Sequence, residues 1–446
     1  MKCRILLWVL LPLLLISCGE QGPDSPTPQP LVDNPGNSIV IYEANPKVFA
    51  KTDVLKSITA NLDRIQSLGV NVLWLMPVYE QGSKDAIGSP YCVRDYGKIN
   101  PEFGTNSDLR TLVSSAHSKG MRVILDWVAN HTSWDNQWII DHPDWYTQEN
   151  GKIISPKGMG WNDVADLNYG NKDMRAAMKS AMISWVKDYD VDGFRCDYTD
   201  GVPSDFWKDV IDELKTIKGD NLLMLGESSN PDYYKSGFDL LYAWSYAGRL
   251  PDLFAGSIKL GDLLSIYKNE MSSTPDGKDR MRYIINHDTA SSDGSPLTLY
   301  KGERGAMAAF VLSAFLKGVP MIYSSQEVGY VSAINFFDYV IQNWNSRTDY
   351  QKEYAKLMSV YAQSAPYRGS APTLYSTGEV ASIRYQCSNG SWLLIFVNTT
   401  GQEQTVKVPM ELAGKKVNEM ISGMNRTLDV QEQFEAYEYK IYLYQK

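Results

Sequence analysis

Eight short runs of apolar, β-prone residues recur between positions 39 and 323, and helix-period segments follow most of them. The runs are 39–42, 70–76, 122–128, 191–197, 222–226, 238–242, 282–286 and 319–323, with helical periodicity over 54–68, 109–119, 174–189, 204–218 and 304–317. A strand that reads as a continuous apolar run has no polar face to offer water, so both of its faces must be covered. Helices between such strands supply that cover and return the chain to the same end, which makes the strands parallel. Eight such units predict an α/β chain closed into a (β/α)8 barrel of roughly 250 residues, in preference to an open doubly wound sheet.

Spacing adds two further pieces. Asp197 and Glu227 lie 30 residues apart, one ordinary βα unit, whereas 71 residues separate Asp126 from Asp197. A short insertion domain after the third strand, 131–168, accounts for the excess. It divides the expected barrel into 38–130 and 169–368. Beyond 369 the pattern changes to alternating strands at 382–386, 392–398, 404–408 and 439–444, which predicts a C-terminal antiparallel β-sandwich domain over 369–446.

The N-terminus carries an address. Lys2 and Arg4 precede an apolar run over 5–16, too short to span a bilayer and typical of a secretory signal. It ends in Leu15, Ile16, Ser17 and Cys18, which resembles a bacterial lipobox with Cys18 as the lipidated residue. Residues 1–18 are expected to be a lipoprotein signal, and 19–37, with five prolines, a tether. The expected location is exported and lipid-anchored to a bacterial membrane, on the outer membrane, cell surface or periplasmic face. Cys92, Cys196 and Cys387 match no metal spacing and are expected to be buried free thiols. A formal charge of −9 and a pI near 5.1 exclude a nucleic-acid partner, which needs a basic face.

In a βα barrel the chemistry sits at the C-terminal ends of the strands. The third run ends in Asp126, Asn130 and His131, the fourth in Arg195 and Asp197, the fifth in Glu227, and the seventh in Asn286, His287 and Asp288. Each alone has a bland explanation as a helix cap or an ion pair. Four strand ends with the same chemistry do not. Neighbouring strands lie about 4.8 Å apart, so Asp197 and Glu227 are placed for a retaining glycosidase, whose carboxyls stand about 5–5.5 Å apart. Arg195 and Asp197 point to the same side of their strand, and Arg195 is expected to keep Asp197 ionised. Glu227 has no cation beside it in sequence, which is compatible with a raised pKa and proton donation.

These residues resemble the α-amylase family of glycoside hydrolases. Positions 126–131 are similar to its first conserved region, 193–197 to its second, Glu227 to its third and 286–288 to its fourth. Positions 166–168 resemble a motif late in its insertion domain, and 91–96 a segment that supplies a stacking tyrosine. The resemblance implies Asp197 as nucleophile, Glu227 as acid/base and Asp288 as a third carboxylate that holds the distorted sugar. It implies Tyr96, His131, Arg195 and His287 as substrate-binding residues, with Asp126 and Asn130 supporting the site. The implied substrate is an α-glucan or malto-oligosaccharide, cleaved at α-1,4 bonds by double displacement. An α-glucanotransferase and a non-catalytic glucan-binding lipoprotein are the alternatives.

Two departures stand out. Tyr198, Thr199 and Asp200 follow Asp197 where many relatives continue with Lys-His, which puts the family's frequent calcium site in doubt. Asn130 and Asp163 are weak candidate ligands, far short of the six to eight oxygens calcium takes. No cofactor is expected to be required. Trp127, Trp134, Trp138, Trp145 and Trp161 crowd the insertion, and about two of them are expected to stack on sugar.

Overall fold

The computed structural model describes residues 39–446. The expected signal, Cys18 and the tether lie outside them. Eight parallel strands close into a barrel: β1 (Ile41–Ala44), β2 (Val72–Leu75), β3 (Arg122–Trp127), β4 (Gly193–Cys196), β5 (Leu223–Gly226), β6 (Leu240–Tyr242), β7 (Asp279–Arg282) and β8 (Val319–Tyr323). Their cyclic order is β1-β8-β7-β6-β5-β4-β3-β2. Every residue of these strands is buried, as two covered faces require.

Register explains the site. Arg195 of β4 pairs with Asp126 of β3, and Cys196 pairs with Gly226 of β5. Asp197 and Glu227 each follow one residue later, so both carboxyls leave the barrel at the same level. Gly193 opens β4 at φ 142°, and a Cβ there would lie 2.0 Å from the Leu223 carbonyl oxygen. Only glycine allows β4 and β5 to approach so closely.

Two strands depart from the sequence reading. The seventh was expected at 282–286 and lies at Asp279–Arg282. Its residues look polar because the barrel buries a charged network there, with Arg282 Nη1 at 3.3 Å from Glu270 Oε2. The more apolar stretch that follows leads instead to Asn286, which caps the short helix His287–Ser292 by exchanging hydrogen bonds with Thr289. The first strand runs on to Ala44, which brings Glu43 into the barrel.

Between β3 and β4 the chain forms the expected excursion. His131–Ser133 pairs antiparallel with Val164–Asp166, and a small hairpin over 148–153 lies between. The C-terminal region holds a six-stranded sheet and a two-stranded sheet. Leu394, Phe396 and Tyr442 on one face of the larger sheet pack with Val406 and Phe434 of the smaller. Ile383, Leu393, Ile395 and Ile441 on its other face join the barrel's core.

Candidate active site

A cleft of about 390 Å³ opens at the C-terminal end of the barrel, lined by Asp197, Glu227, Asp288, His131 and His287 among others. Arg195 organises its floor. The guanidinium is fully buried, with Nη1 at 2.8 Å from Asp126 Oδ1 and 3.0 Å from Asp197 Oδ1, and Nη2 at 2.8 Å from Glu227 Oε1. Its Nε donates to the Tyr242 hydroxyl at 3.1 Å. One planar fork therefore orients three carboxylates from three adjacent strands.

This arrangement corrects two expectations about Arg195. It binds no substrate surface, because it lies beneath the cleft and is fully covered. It also serves Glu227 as well as Asp197, a contact between strands that adjacency in sequence cannot show. Both acids are pushed above their ordinary range by burial, Asp197 further by the charge of Glu227, while Arg195 opposes the shift in each. The two titrate as a unit that retains a proton more tightly than isolated carboxyls would. Glu227 also accepts from the Tyr198 N–H at 2.6 Å.

His287 sits between Glu43 and Tyr91. Nδ1 lies 2.5 Å from Glu43 Oε1 and Nε2 2.9 Å from the Tyr91 hydroxyl oxygen. Tyr91 spends its proton on Asp126 Oδ2 at 3.0 Å, so its oxygen accepts from Nε2–H, and both imidazole nitrogens donate. Burial pulls the His287 pKa down, but the charges of Asp288 and Glu43 outweigh it and push it up to about 9. His131 has no such partner, and burial holds it down to about 4. The cleft thus presents one charged and one neutral imidazole at neutral pH. Asp288 is the most open of the carboxylates, 3.4 Å from His287 Nε2 with its side chain 45% exposed.

Tyr96 does not reach the cleft. It is buried against Trp127 and Trp138, and its hydroxyl donates to the carbonyls of Val128 and His131 at 2.7 and 2.9 Å. Tyr91 takes the place expected of it: it lines the cleft and stacks on His287 with ring centroids 5.4 Å apart. Of the five tryptophans only Trp161 lines the cleft, against His131 and Tyr198. Trp127 and Trp145 are core residues, and Trp134 donates to the Asn162 carbonyl at 2.9 Å. Cys92 and Cys196 are buried free thiols as expected, but Cys387 is only partly buried.

Several lining residues escaped the sequence reading. Trp244 follows β6, Tyr198 follows Asp197, and Phe336 and Phe337 come from the stretch after β8. A phenylalanine pair in an irregular segment after a barrel strand was the available signal. Glu43 was visible as a lone acid at the end of an apolar run.

The candidate calcium ligands do not form a site. Asn130 Nδ2 faces His131 Nδ1 at 3.3 Å, and the Asp163 carbonyl accepts from Cys92 Sγ at 3.3 Å. Among the described residues no group of three or more His, Cys, Asp or Glu is placed to hold a metal.

Comparisons with known proteins bear on the family and the fold. A family profile described as Alpha amylase, catalytic domain matches residues 45–372. Alpha-amylase MalA of Haloarcula japonica is 26% identical over 387 residues, covering 83% of this chain and 54% of that protein. The chain spans about half to two thirds of the length of the curated relatives it matches. The crystal structure of an alpha-amylase from Lactobacillus plantarum superposes with a TM-score of 0.84 at 25% identity, covering 92% of this chain and 99% of that one. A maltogenic alpha-amylase, AmyB, from Thermotoga neapolitana gives a TM-score of 0.82 at 25% identity over the same shares.

Proposed function

Because the chain belongs to the α-amylase family of glycoside hydrolases, we propose that it hydrolyses α-1,4-glucosidic bonds of starch-like glucans or malto-oligosaccharides with retention of configuration. The observation that carries this reading is the Arg195 fork, which holds Asp197 and Glu227 side by side at the mouth of adjacent strands. Two carboxyls that share one guanidinium suit the close pair a retaining glycosidase uses, one as nucleophile and the other as acid/base.

In the proposed reaction Glu227 protonates the glycosidic oxygen while Asp197 attacks the anomeric carbon. The C–O bond to the leaving sugar breaks and an ester to Asp197 forms. Water then enters, gives its proton to Glu227 and displaces Asp197. Asp288 holds hydroxyls of the sugar under attack, the charged His287 beside it supplies positive charge, and neutral His131 binds from the insertion side. No cofactor takes part. The anchored location belongs to the same proposal: Cys18 carries lipid, and replacing it with serine removes labelling of the chain by a fatty-acid probe in cells.

The roles are separable by leaving group. On maltoheptaose, both Asp197→Asn and Glu227→Gln should lower kcat by roughly 10²–10⁴-fold. On a nitrophenyl malto-oligosaccharide, whose leaving group needs no proton, the first step of Glu227→Gln recovers and that of Asp197→Asn does not. Recovery in Asp197→Asn instead would reverse the assignment. Equal, negligible activity of wild type and Asp197→Asn would favour pure binding, and products longer than the input would favour a glucanotransferase.

A further inference from the structure

Lys47 is buried, 5% exposed, in the single turn Pro46–Val48 that follows β1, and the chemistry above does not use it. Its ammonium donates to the carbonyls of Gly88 at 3.1 Å and Phe337 at 2.7 Å, and lies 5.7 Å from the Tyr339 ring centroid. A buried ammonium is costly unless its donors are met. Here they are met by two different loops.

Gly88 belongs to the segment after β2 that brings Ile87 and Ser89 to the cleft, and Phe337 to the segment after β8 that brings Phe336 and Phe337. The two backbones come close where Lys47 joins them, leaving room for little more than a methyl group between them. Gly88 has φ 89°, and a Cβ there would lie 3.6 Å from the Phe337 carbonyl oxygen. The β8 segment is tied to β1 as well, since the N–H groups of Val340 and Gln342 donate to the carbonyls of Lys47 and Val48 at 3.1 and 2.9 Å. Phe336 meets the rings of Tyr91 and His287 edge-on at 5.8 and 5.1 Å.

Barrel order gives this wall a direction. β5, which carries Glu227, stands opposite β1 in the closed ring. A general acid delivers its proton to the leaving-group oxygen, so the leaving side of the cleft runs toward β5 and the retained side toward β1, β2 and β8. We propose that Lys47 is a positioning residue that staples the β2 and β8 segments into an apolar wall across the retained side, so that the enzyme takes the non-reducing ends of glucan chains in preference to their interiors. The proposal rests on the hydrolytic reading above.

The test uses maltoheptaoside substrates with the non-reducing end free or blocked by an ethylidene group, followed by chromatography of the products. Wild type should cleave the free substrate with kcat/KM at least about tenfold above the blocked one, the scale of a steric specificity filter. Lys47→Met keeps the apolar stem and loses the donors, and should raise the blocked-to-free ratio several-fold, with Lys47→Arg restoring it. Phe337→Ala removes the wall but keeps the carbonyl that Lys47 binds, and should shift the ratio the same way even if Lys47→Met fails to fold. A wild-type ratio near one, or a ratio unmoved in Phe337→Ala, overturns the wall. No cleavage of either substrate by wild type overturns the hydrolytic reading itself and the wall with it.

Discussion

His287 owes its charge to Asp288 beside it and to Glu43 on a distant strand, and the distant partner makes it testable. Glu43 at the end of β1 lies 2.5 Å from Nδ1 and is itself fully buried, with burial raising its own pKa. His287 titrates at about 9 in the folded protein, above its ordinary value near 6.5. The stabilisation from that shift is fully present below the ordinary value and is lost as pH rises through about 9. Glu43→Gln should therefore lower the His287 pKa and cost on the order of 1–3 kcal/mol near neutral pH. The gap in Tm from wild type should narrow as pH rises to about 10, because neutral His287 no longer gains from the Glu43 charge. A gap independent of pH would mean that the histidine is not charged. At this scale the sequence was informative where residue type alone names the chemistry, as for Asp197, Glu227, Asp288, His131 and His287, all of which line the cleft. It was uninformative where the fold decides which of two similar groups is used. Tyr91 and Tyr96 differ in nothing local, yet one hydroxyl serves Asp126 and the other two core carbonyls.

Strand register converts these residues into a site. Asp197 and Glu227 stand side by side because Cys196 pairs with Gly226, and that pairing depends on Gly193 at the start of β4. Gly193→Ala would force a Cβ into the Leu223 carbonyl and strain a backbone at φ 142°. Strain and overpacking each cost about 1–3 kcal/mol, so the variant should lose several degrees in Tm. It should also lose kcat while substrate affinity changes little, because a displaced β4 carries Asp197 away from Glu227 and leaves the apolar lining in place. Urea titration beside single-turnover kinetics would show both, and loss of stability with kcat intact would separate register from catalysis. Periodicity located the helix Ser204–Lys218 to the residue, since its apolar face is ordinary. It misplaced β7 because Asp279, Arg280 and Arg282 are buried, Arg282 against Glu270, Arg280 against Thr274 and Asp279 on the Arg280 N–H, and composition cannot reveal charges neutralised inside a fold.

Barrel and C-terminal sheet share one core, although alternation in the sequence distinguished them as separate modules. The helix Glu303–Phe315 is buried from Gly305 to Phe315, so it has no face for water. One side meets the barrel, and the other meets the strand Trp392–Asn398 and its neighbours. Tyr385 spans the junction, donating to the Phe315 carbonyl at 2.9 Å, and Phe254 stacks on Tyr437 at 5.9 Å. Each large apolar side chain buried there contributes about 1.5–3 kcal/mol, and Ile383, Leu393, Ile395 and Ile441 are all fully covered. A sheet that covers the barrel's most apolar helix is part of the barrel's stability, so heating should unfold both together. Calorimetry of a chain lacking the N-terminal 37 residues should give one transition with equal calorimetric and van't Hoff enthalpies. Ile395→Ala, far from the cleft, should cost about 2–5 kcal/mol and lower that single transition as a whole. If the sheet were an appended module, the same substitution would split the transition, melting the sheet early and leaving the barrel and its activity at the wild-type temperature.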